Sequence, residues 1–339
     1  MEQTSDQAGA NVTSATAVAR ANIALVKYWG KRSEKLNLPA VGSISLTLDA
    51  LKTKTTICFD TMLQKDHIEL NGEAAPARTF RRITRFLDLV GSKQRPRAHM
   101  KSTNNFPTSA GLASSASGFA ALALSASRAL GQHLSKRKLS KLARRGSGSA
   151  ARSIYGGFTE MKCGNTPDGG EDYAIPLFDK EYWDIRMLIA VTSTEKKAIG
   201  STEGMNHTAK TSPYFKSWVE SQPYDLTEMR SAIRGRDFEK TGELAEYSSF
   251  KMHALAMSAR PALHYWNAAT MEAIHIIRSL RQQGTAAYMT IDAGPQLKVL
   301  CLPEAVDSVR QALKTVGGVS KILECGPGAG AAVTSLERA

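Results

Sequence analysis

The residues with the clearest chemical potential lie between Asn104 and Leu124, in NNFPTSAGLASSASGFAALAL. Polar residues and Pro107 lead to Gly111 and Leu112, then Ala113, Ser114 and Ser115, then a run of small and apolar residues. A helix starting here leaves its first backbone N–H groups without internal partners, and the helix dipole adds positive potential at that end. Gly111 permits a close approach or a turn with positive φ, and the Ser and Ala residues around it keep the surface small. The hydroxyls of Ser114 and Ser115 can bond a phosphate or help hold a metal. Two readings fit: a phosphate cradle, or a small-residue helix packed tightly against a neighbour. No Lys follows the final Gly, so the pattern is neither GxxxxGK[ST] nor the dinucleotide GxGxxG.

Other chemistry-bearing residues are less telling by themselves. Asp292 in IDAGP reads as a turn residue bonding its own backbone. Arg152 reads as a surface arginine, and His253, at helical spacing among apolar residues, as a packed histidine. The glycines of ECGPGAG (Gly326, Gly328, Gly330) could form an anion nest, but they lack a dinucleotide context and read as a structural turn.

The elements that must position these residues follow from periodicity. AVARANIALV and SISLTLDALKTKTTICFD read as strands, the first interrupted by Arg20 and Asn22, and Asn71-Gly72 marks a hairpin. Ala77 to Val90 is an Arg-rich amphipathic helix, Ser117 to Leu130 a helix of small and apolar residues, and Ser135 to Arg145 a short basic helix. Ile185 to Ser193 is a central strand opening a second lobe. Helices dominate Pro213 to Arg281, strands return around Asp292, and a last helix covers Pro303 to Thr315. This order is α+β without a regular βαβ repeat.

Composition narrows the function classes. The 339 residues carry 44 Lys and Arg against 31 Asp and Glu, a formal charge of +13 that suits nucleic acid, anionic membranes or polyanionic small molecules. The basic runs at 78–101 and 135–145 read as solvated helix faces, without interleaved aromatics for base stacking. Cys58, Cys163, Cys301 and Cys325 are scattered, which argues against a disulfide framework or a structural zinc site. No run approaches the roughly 20 apolar residues of a membrane span. The opening residues lack the apolar core of a signal peptide and read as a polar mobile arm. A cytoplasmic protein with no membrane or nucleic-acid partner is expected.

At this point several segments resemble one family. PTSAGLASSASG is similar to the phosphate-binding PxxxGLxSSA motif of the GHMP small-molecule kinases, matched at Pro107, Gly111, Leu112, Ser114, Ser115 and Ala116. ANIALVKYWGKRSEKLNLP, SGSAARSIYGGF, KKAIGSTEGMNHTAKTSPYF and IDAGP resemble the diphosphomevalonate decarboxylase branch, in order from about residue 20 to about 300. The resemblance implies a two-lobed GHMP kinase fold, α+β, with a ribosomal protein S5 domain 2-like N-terminal lobe and a ferredoxin-like-related C-terminal lobe. Residues 1–16 are then the mobile arm, 17–184 the ATP-binding lobe and 185–339 the lobe completing the substrate site.

The implied reaction is the ATP-dependent conversion of mevalonate 5-diphosphate to isopentenyl diphosphate, ADP, phosphate and carbon dioxide. By this resemblance Asp292, Arg152 and Lys27 are catalytic. Asp292 orients the tertiary hydroxyl, Arg152 binds the substrate carboxylate, and Lys27 stands by the transferring phosphate. Pro107, Gly111, Leu112, Ala113, Ser114 and Ser115 hold ATP, with Ser115 also a ligand of Mg2+. Tyr28, Lys31, Ser147, Ser149, Ser201 and Thr202 join Arg152 in binding substrate, Arg32, Lys196 and Lys197 stand near, and Trp29 is structural. The base and ribose are placed near the loop after LKTKTTICFD and near the segment before Asn104. A homodimer is also implied. Alternatives are decarboxylation of the monophosphate, a kinase that stops at the 3-phosphate, and a basic nucleic-acid-binding protein.

Overall fold

A computed structural model of the chain describes residues 13–107, 112–193, 195 and 199–338. The first lobe runs through β1 (Thr13–Val26), β2 (Lys31–Ser33), β3 (Leu38–Pro39), β4 (Ser43–Asp60), β5 (His67–Leu70), β6 (Glu73–Ala74), α1 (Ala77–Gly91) and β7 (Arg97–Asn104). It continues with α2 (Ser114–Ala129), α3 (Lys136–Gly146), α4 (Ala150–Ser153), β8 (Phe158–Met161) and β9 (Ala174–Phe178). The second lobe contains β10 (Arg186–Val191), α5 (Ser201–Thr211), α6 (Phe215–Gly235), α7 (Phe238–Met257), α8 (Ala268–Gln282), β11 (Ala287–Ile291), β12 (Leu297–Cys301), α9 (Val306–Lys314) and β13 (Lys321–Cys325). The last strand, β14 (Ala332–Arg338), returns to the first lobe and pairs antiparallel with β1.

Two differences from the sequence reading follow. Thr13–Thr16, assigned to a mobile arm, lie in β1 between β4 and β14. Residues 332–338, grouped with the second lobe, complete the sheet of the first. The physical reason is the same for both: β1 has backbone donors and acceptors on two edges, and pairing with a distant segment satisfies them.

The large sheet runs β14-β1-β4-β7-β5-β6, with β8 and β9 attached beside β4. The helix α2 lies against it, and small residues make the approach close: Ala15, Ala17 and Ala19 of β1 are buried with Ala120, Ala123 and Ala126 of α2. The alternation of alanines in β1 therefore reflects a helix bedded on one sheet face. The second sheet, β11-β12-β10-β13, is wholly antiparallel. Helices α8 and α9 pack on one face through Ile274, Ile277, Val309 and Leu313. The other face joins α6, α7 and the first lobe in one continuous core, where Ile23, Leu46 and Phe158 meet Met187, Met229 and Tyr288.

The register of β1 against β4 breaks between Arg20 and Asn22, where the partners jump from Lys52 to Thr47. The residues of β4 left over at this bulge meet the C-terminal glycine loop instead. Leu48 bridges Pro327, the Asp49 N–H donates to Gly326 O at 3.0 Å, and the Gly328 N–H donates to Thr47 O at 2.7 Å. Bulges re-aim side chains next to functional sites, and here the bulge turns Asn22 toward α4. The ECGPGAG loop thus serves as a splice between lobes. Replacing Gly328 with Ala would put a Cβ 2.6 Å from the backbone N of Asp49 and C of Leu48, neither of which can swing away. Gly328→Ala is expected to destabilise by about 1–3 kcal/mol in urea denaturation. A variant as stable as the parent would overturn the splice assignment.

Candidate active site

Asp292 follows β11, at the turn where the Gly294 N–H donates to Asp292 O at 2.7 Å. Two lysines flank its carboxylate. The Lys27 Nζ, just beyond β1, lies 2.6 Å from Oδ1, and the Lys298 Nζ, on β12, lies 3.2 Å from Oδ2. Both lysine side chains are buried, while Asp292 keeps 25% of its side chain exposed, so the carboxylate opens toward solvent. Burial pushes the Asp292 carboxyl up, and the opposing attraction of Lys27 and Lys298 outweighs it, so the group stays well below the usual carboxylate range. Burial, helped by the repulsion of Lys298, pulls Lys27 down to about 8 against the attraction of Asp292.

Lys27 is held by its backbone as well. Its N–H donates to the Ser248 Oγ of α7 at 3.0 Å, and its carbonyl accepts from the Gln222 Nε2 of α6 at 2.8 Å. A first-lobe residue is thus fixed by second-lobe helices.

Arg152 lies buried in the short helix α4. Its Nε donates to Asn22 Oδ1 at 3.1 Å and to Ser45 Oγ at 2.8 Å, and Nη1 donates to Ser43 Oγ. Burial lowers it to about 10, opposed by Tyr28 and Asp292. Asn22 also donates through Nδ2 to Ser149 O at 3.0 Å and to Ser153 Oγ at 2.7 Å. The asparagine that interrupts the apolar strand is therefore the clasp between β1 and α4.

Three serine hydroxyls connect the two glycine-serine motifs. Ser147 Oγ lies 3.3 Å from Ser115 Oγ and 3.3 Å from Ser149 Oγ. Ser115 is exposed in the first turn of α2, which has no side-chain cap and no acidic residue. Its N-cap, Ala113, adopts φ 56° and ψ 29° in the left-handed region. A positive φ thus occurs here at an alanine, a conformation that costs an L-residue about 1–2 kcal/mol. Pro107, Leu112 and Ser114 sit around this helix start, whereas Gly111 and residues 108–110 lie outside the described residues.

Tyr28 packs over Gly148: a Cβ there would lie 2.3 Å from the phenol oxygen. The Tyr28 hydroxyl is buried and has no hydrogen-bond partner among the described residues, and burial pushes it up to about 12. It is a neutral donor. Lys31 Nζ lies 3.5 Å from Thr202 Oγ1, in the first turn of α5, where Ser201 and Thr202 follow the uncapped Gly200. Burial and then the charge of Arg82 lower Lys31 to about 8. Lys196 and Lys197 lie outside the described residues.

The structure bears on two sequence assignments. Arg32 is engaged elsewhere: Nη2 bonds Asp172 Oδ2 at 2.6 Å and Thr166 O at 3.1 Å. The two places named for the base and ribose sit at opposite ends of one ladder, since Asp60 pairs Arg97 while Thr53 pairs Asn104. Seven strand steps separate them by roughly 23 Å. The Asn104 end adjoins the start of α2, where Thr53 Oγ1 meets the Ser117 Oγ at 2.6 Å.

Asn22, Arg82 and Lys298 were missed as site residues. Asn22 and Lys298 carry the same signal, a polar residue inside an otherwise apolar strand. Arg82 was absorbed into an amphipathic helix face. Its Nη2 donates to Gly146 O at 2.6 Å, next to Ser147. His253 conforms to the packed reading: it is buried with Nε2 3.3 Å from Ile291 O, and burial drives it down to about 3.

Among the described residues no group of three or more His, Cys, Asp or Glu could hold a metal ion, and no helix is long and apolar enough to cross a membrane. The site carries three buried cationic side chains, Lys27, Lys298 and Arg152, against the carboxylate of Asp292. Such an excess suits a ligand with several negative charges.

Comparison with known proteins follows the same outline. Residues 19–174 match the diphosphomevalonate decarboxylase-like N-terminal domain, and residues 187–326 the mevalonate 5-diphosphate decarboxylase C-terminal domain. The chain is 37% identical to the diphosphomevalonate decarboxylase of Candida albicans, covering 95% of this chain and 98% of that one. It is similar to the crystal structure of mevalonate diphosphate decarboxylase from Staphylococcus aureus, with a TM-score of 0.90, 35% identity and coverage of 96% and 98%. A structure of MDDEF in complex with MVAPP, AMPPCP and magnesium gives a TM-score of 0.89, 36% identity and coverage of 96% and 99%.

The Lys27 environment makes a ligand-free prediction. Its folded-state value of about 8 lies below the ordinary 10.5, so between these two values the unfolded chain binds more protons and stability rises with pH. Lys27→Met should remove that contribution. Urea denaturation from pH 8 to 10 should show the parent gaining on the variant, and parallel curves would sink the buried-ammonium assignment.

Proposed function

The chain belongs to the diphosphomevalonate decarboxylase family of the GHMP kinase superfamily, and we propose how its residues divide the family's reaction. The protein is an enzyme catalysing the ATP-dependent decarboxylation of mevalonate diphosphate. A tertiary alcohol leaves poorly, so the γ-phosphoryl of ATP is first transferred to the 3-hydroxyl. Phosphate and carbon dioxide then depart, and the electrons of the broken carbon–carbon bond form the alkene of isopentenyl diphosphate.

The observation that carries the residue assignment is the Asp292 carboxylate, held between Lys27 and Lys298 and open to solvent. Asp292 accepts a hydrogen bond from the 3-hydroxyl and aims its oxygen at the phosphoryl group. Because two ammonium groups hold its carboxyl low, it is a weak base. The proton therefore leaves the hydroxyl late, as bonding to phosphorus develops. Lys27 neutralises charge on the transferring group, where a cation in a dry site acts most strongly.

Arg152 receives the substrate carboxylate. Its bonds to Asn22, Ser45 and Ser43 use Nε and Nη1, which supports the Nη2 side of the fork as the part that meets the substrate. This fixes the bond to be broken relative to the departing phosphate. Tyr28, Ser147 and Ser149 donate to substrate oxygens, and the Tyr28 hydroxyl, without a partner among the described residues, supports that role. Lys31, Arg82, Ser201 and Thr202 meet the distal phosphate, supported by the nearness of Lys31 to both Thr202 and the Arg82 charge.

ATP phosphates lie at the start of α2, against Pro107, Leu112, Ala113, Ser114 and Ser115, with Gly111 included from the motif. The uncapped helix start supports this placement. Magnesium, when bound, neutralises triphosphate charge. Ser115 fits as its protein ligand, phosphate oxygens and water filling the other positions. Four free cysteines support a reducing, cytoplasmic location. A homodimer rests on family likeness, and light scattering in solution would test it.

Purified protein supplied with ATP and mevalonate, its 5-phosphate or its 5-diphosphate decides the reaction. ADP and carbon dioxide should form together from the diphosphate. ADP without carbon dioxide would mean a kinase, and turnover of the monophosphate would move the specificity. Asp292→Asn should lower kcat by about 10²-fold or more while ATP affinity persists. A folded variant with near-normal turnover would overturn the role of Asp292. Arg152→Gln should lower kcat/KM for the diphosphate far more than ATP binding, and unchanged kinetics would count against carboxylate recognition. Ser115→Ala should weaken productive ATP use more modestly.

A further inference from the structure

Lys298 occupies an unfavourable place for a charge. It stands in the middle of β12, an inner strand between β11 and β10, with Thr290 and Ile189 as its cross-strand partners. Its side chain is fully buried. A leucine or methionine would satisfy such a position at no electrostatic cost, whereas a buried ammonium requires a counter-charge. Thr290, which shares its sheet face, reaches the Ala24 carbonyl of β1 at 3.4 Å. That face therefore looks toward the first lobe and the end of β1 that carries Lys27. The ammonium of Lys298 meets Asp292 Oδ2 at 3.2 Å, while Lys27 takes Oδ1.

The two lysines differ in what the reaction asks of them. Lys298 and Asp292 belong to the same sheet region and need no movement to stay together. Lys27 arrives from the other lobe, and its assigned role requires it to serve the transferring phosphoryl group. Drawing Lys27 toward a phosphate would leave a largely buried carboxylate without compensation unless a second cation remained.

We propose that Lys298 is a positioning residue, the standing counter-ion of Asp292, which keeps that carboxylate ionised and oriented while Lys27 turns to the phosphoryl group. The inference rests on the roles assigned above to Asp292 and Lys27. The charged and titratable groups facing Asp292 are Lys27 from the end of β1, Lys298 from β12, Arg152 from α4 and His253 from α7. His253 is neutral at working pH, so the lysines and Arg152 set the field.

Lys298→Met keeps the length of the side chain and removes its charge. Losing one attractive cation raises the pH at which Asp292 takes up a proton. The acid limb of the kcat profile should therefore move toward neutrality by about one unit or more. With mevalonate 5-diphosphate, kcat should fall about 10-fold or more while KM for ATP stays within about 3-fold. A purely structural lysine would move stability and leave the acid limb in place. A folded Lys298→Met enzyme with an unshifted limb overturns the proposal.

If Lys298→Met does not fold alone, thermal unfolding of Asp292→Asn against Asp292→Asn/Lys298→Met decides. Asp292→Asn strands a buried ammonium, so adding Lys298→Met should raise Tm, and no rise overturns the pairing. The two readings fail separately. Near-normal turnover in Asp292→Asn removes the role of Asp292 itself. Its collapse, together with an unshifted Lys298→Met profile, removes only the role of Lys298.

Discussion

The structure depends on an electrostatic imbalance held between two lobes. Lys27, Lys298 and Arg152 are buried around one carboxylate, Asp292. Burying ammonium groups is unfavourable, and one carboxylate cannot compensate three cations. The remaining positive potential is what a polyanionic substrate encounters. The fold tolerates it because the surrounding core is continuous: Ile23 and Leu46 from one lobe pack with Met187 and Met229 from the other. The lobes cannot separate to relieve the charge without exposing that apolar surface.

The same constraint explains how Lys27 is anchored. Its ammonium bonds the second lobe at Asp292, its N–H bonds Ser248 of α7, and its carbonyl accepts from Gln222 of α6. On the other side of the site, Asn22 ties β1 to α4 and so locates Arg152. The bulge in the β1–β4 register and the glycine loop beside Leu48 and Asp49 belong to this arrangement. The start of α2 is coupled to it through hydroxyls, since Ser147 lies within reach of both Ser115 and Ser149. The start of α2 and the start of α4 thus share one line of serines.

Much of the site was legible because its chemistry is local. An uncapped helix start after a small-residue turn depends on neighbours in sequence, and the serines at Ser114 and Ser115 announce it. Arg152, Lys27 and Asp292 gained meaning only through the family resemblance, since each has an ordinary reading by itself. What escaped was non-local. Lys298 is one polar residue in a strand, and nothing adjacent shows that it faces Asp292. Arg32 looked equivalent to Lys31, yet its guanidinium is held by Asp172 and the carbonyl of Thr166. The two positions named for the nucleotide base seemed compatible until antiparallel pairing put them at opposite ends of β7.

The sequence by itself determined the class of elements, the helix start able to bind phosphate and the basic, polyanion-seeking character of the chain. Periodicity, small-residue turns and composition act over a few residues and survive without the fold. Only the tertiary structure decided which cations share Asp292, that Arg32 bonds Asp172, and where the final strand returns. Those outcomes depend on pairing register and on contacts between residues hundreds of positions apart. Their energies come from desolvation and charge at distances of about 3 Å, which no spacing along the chain records.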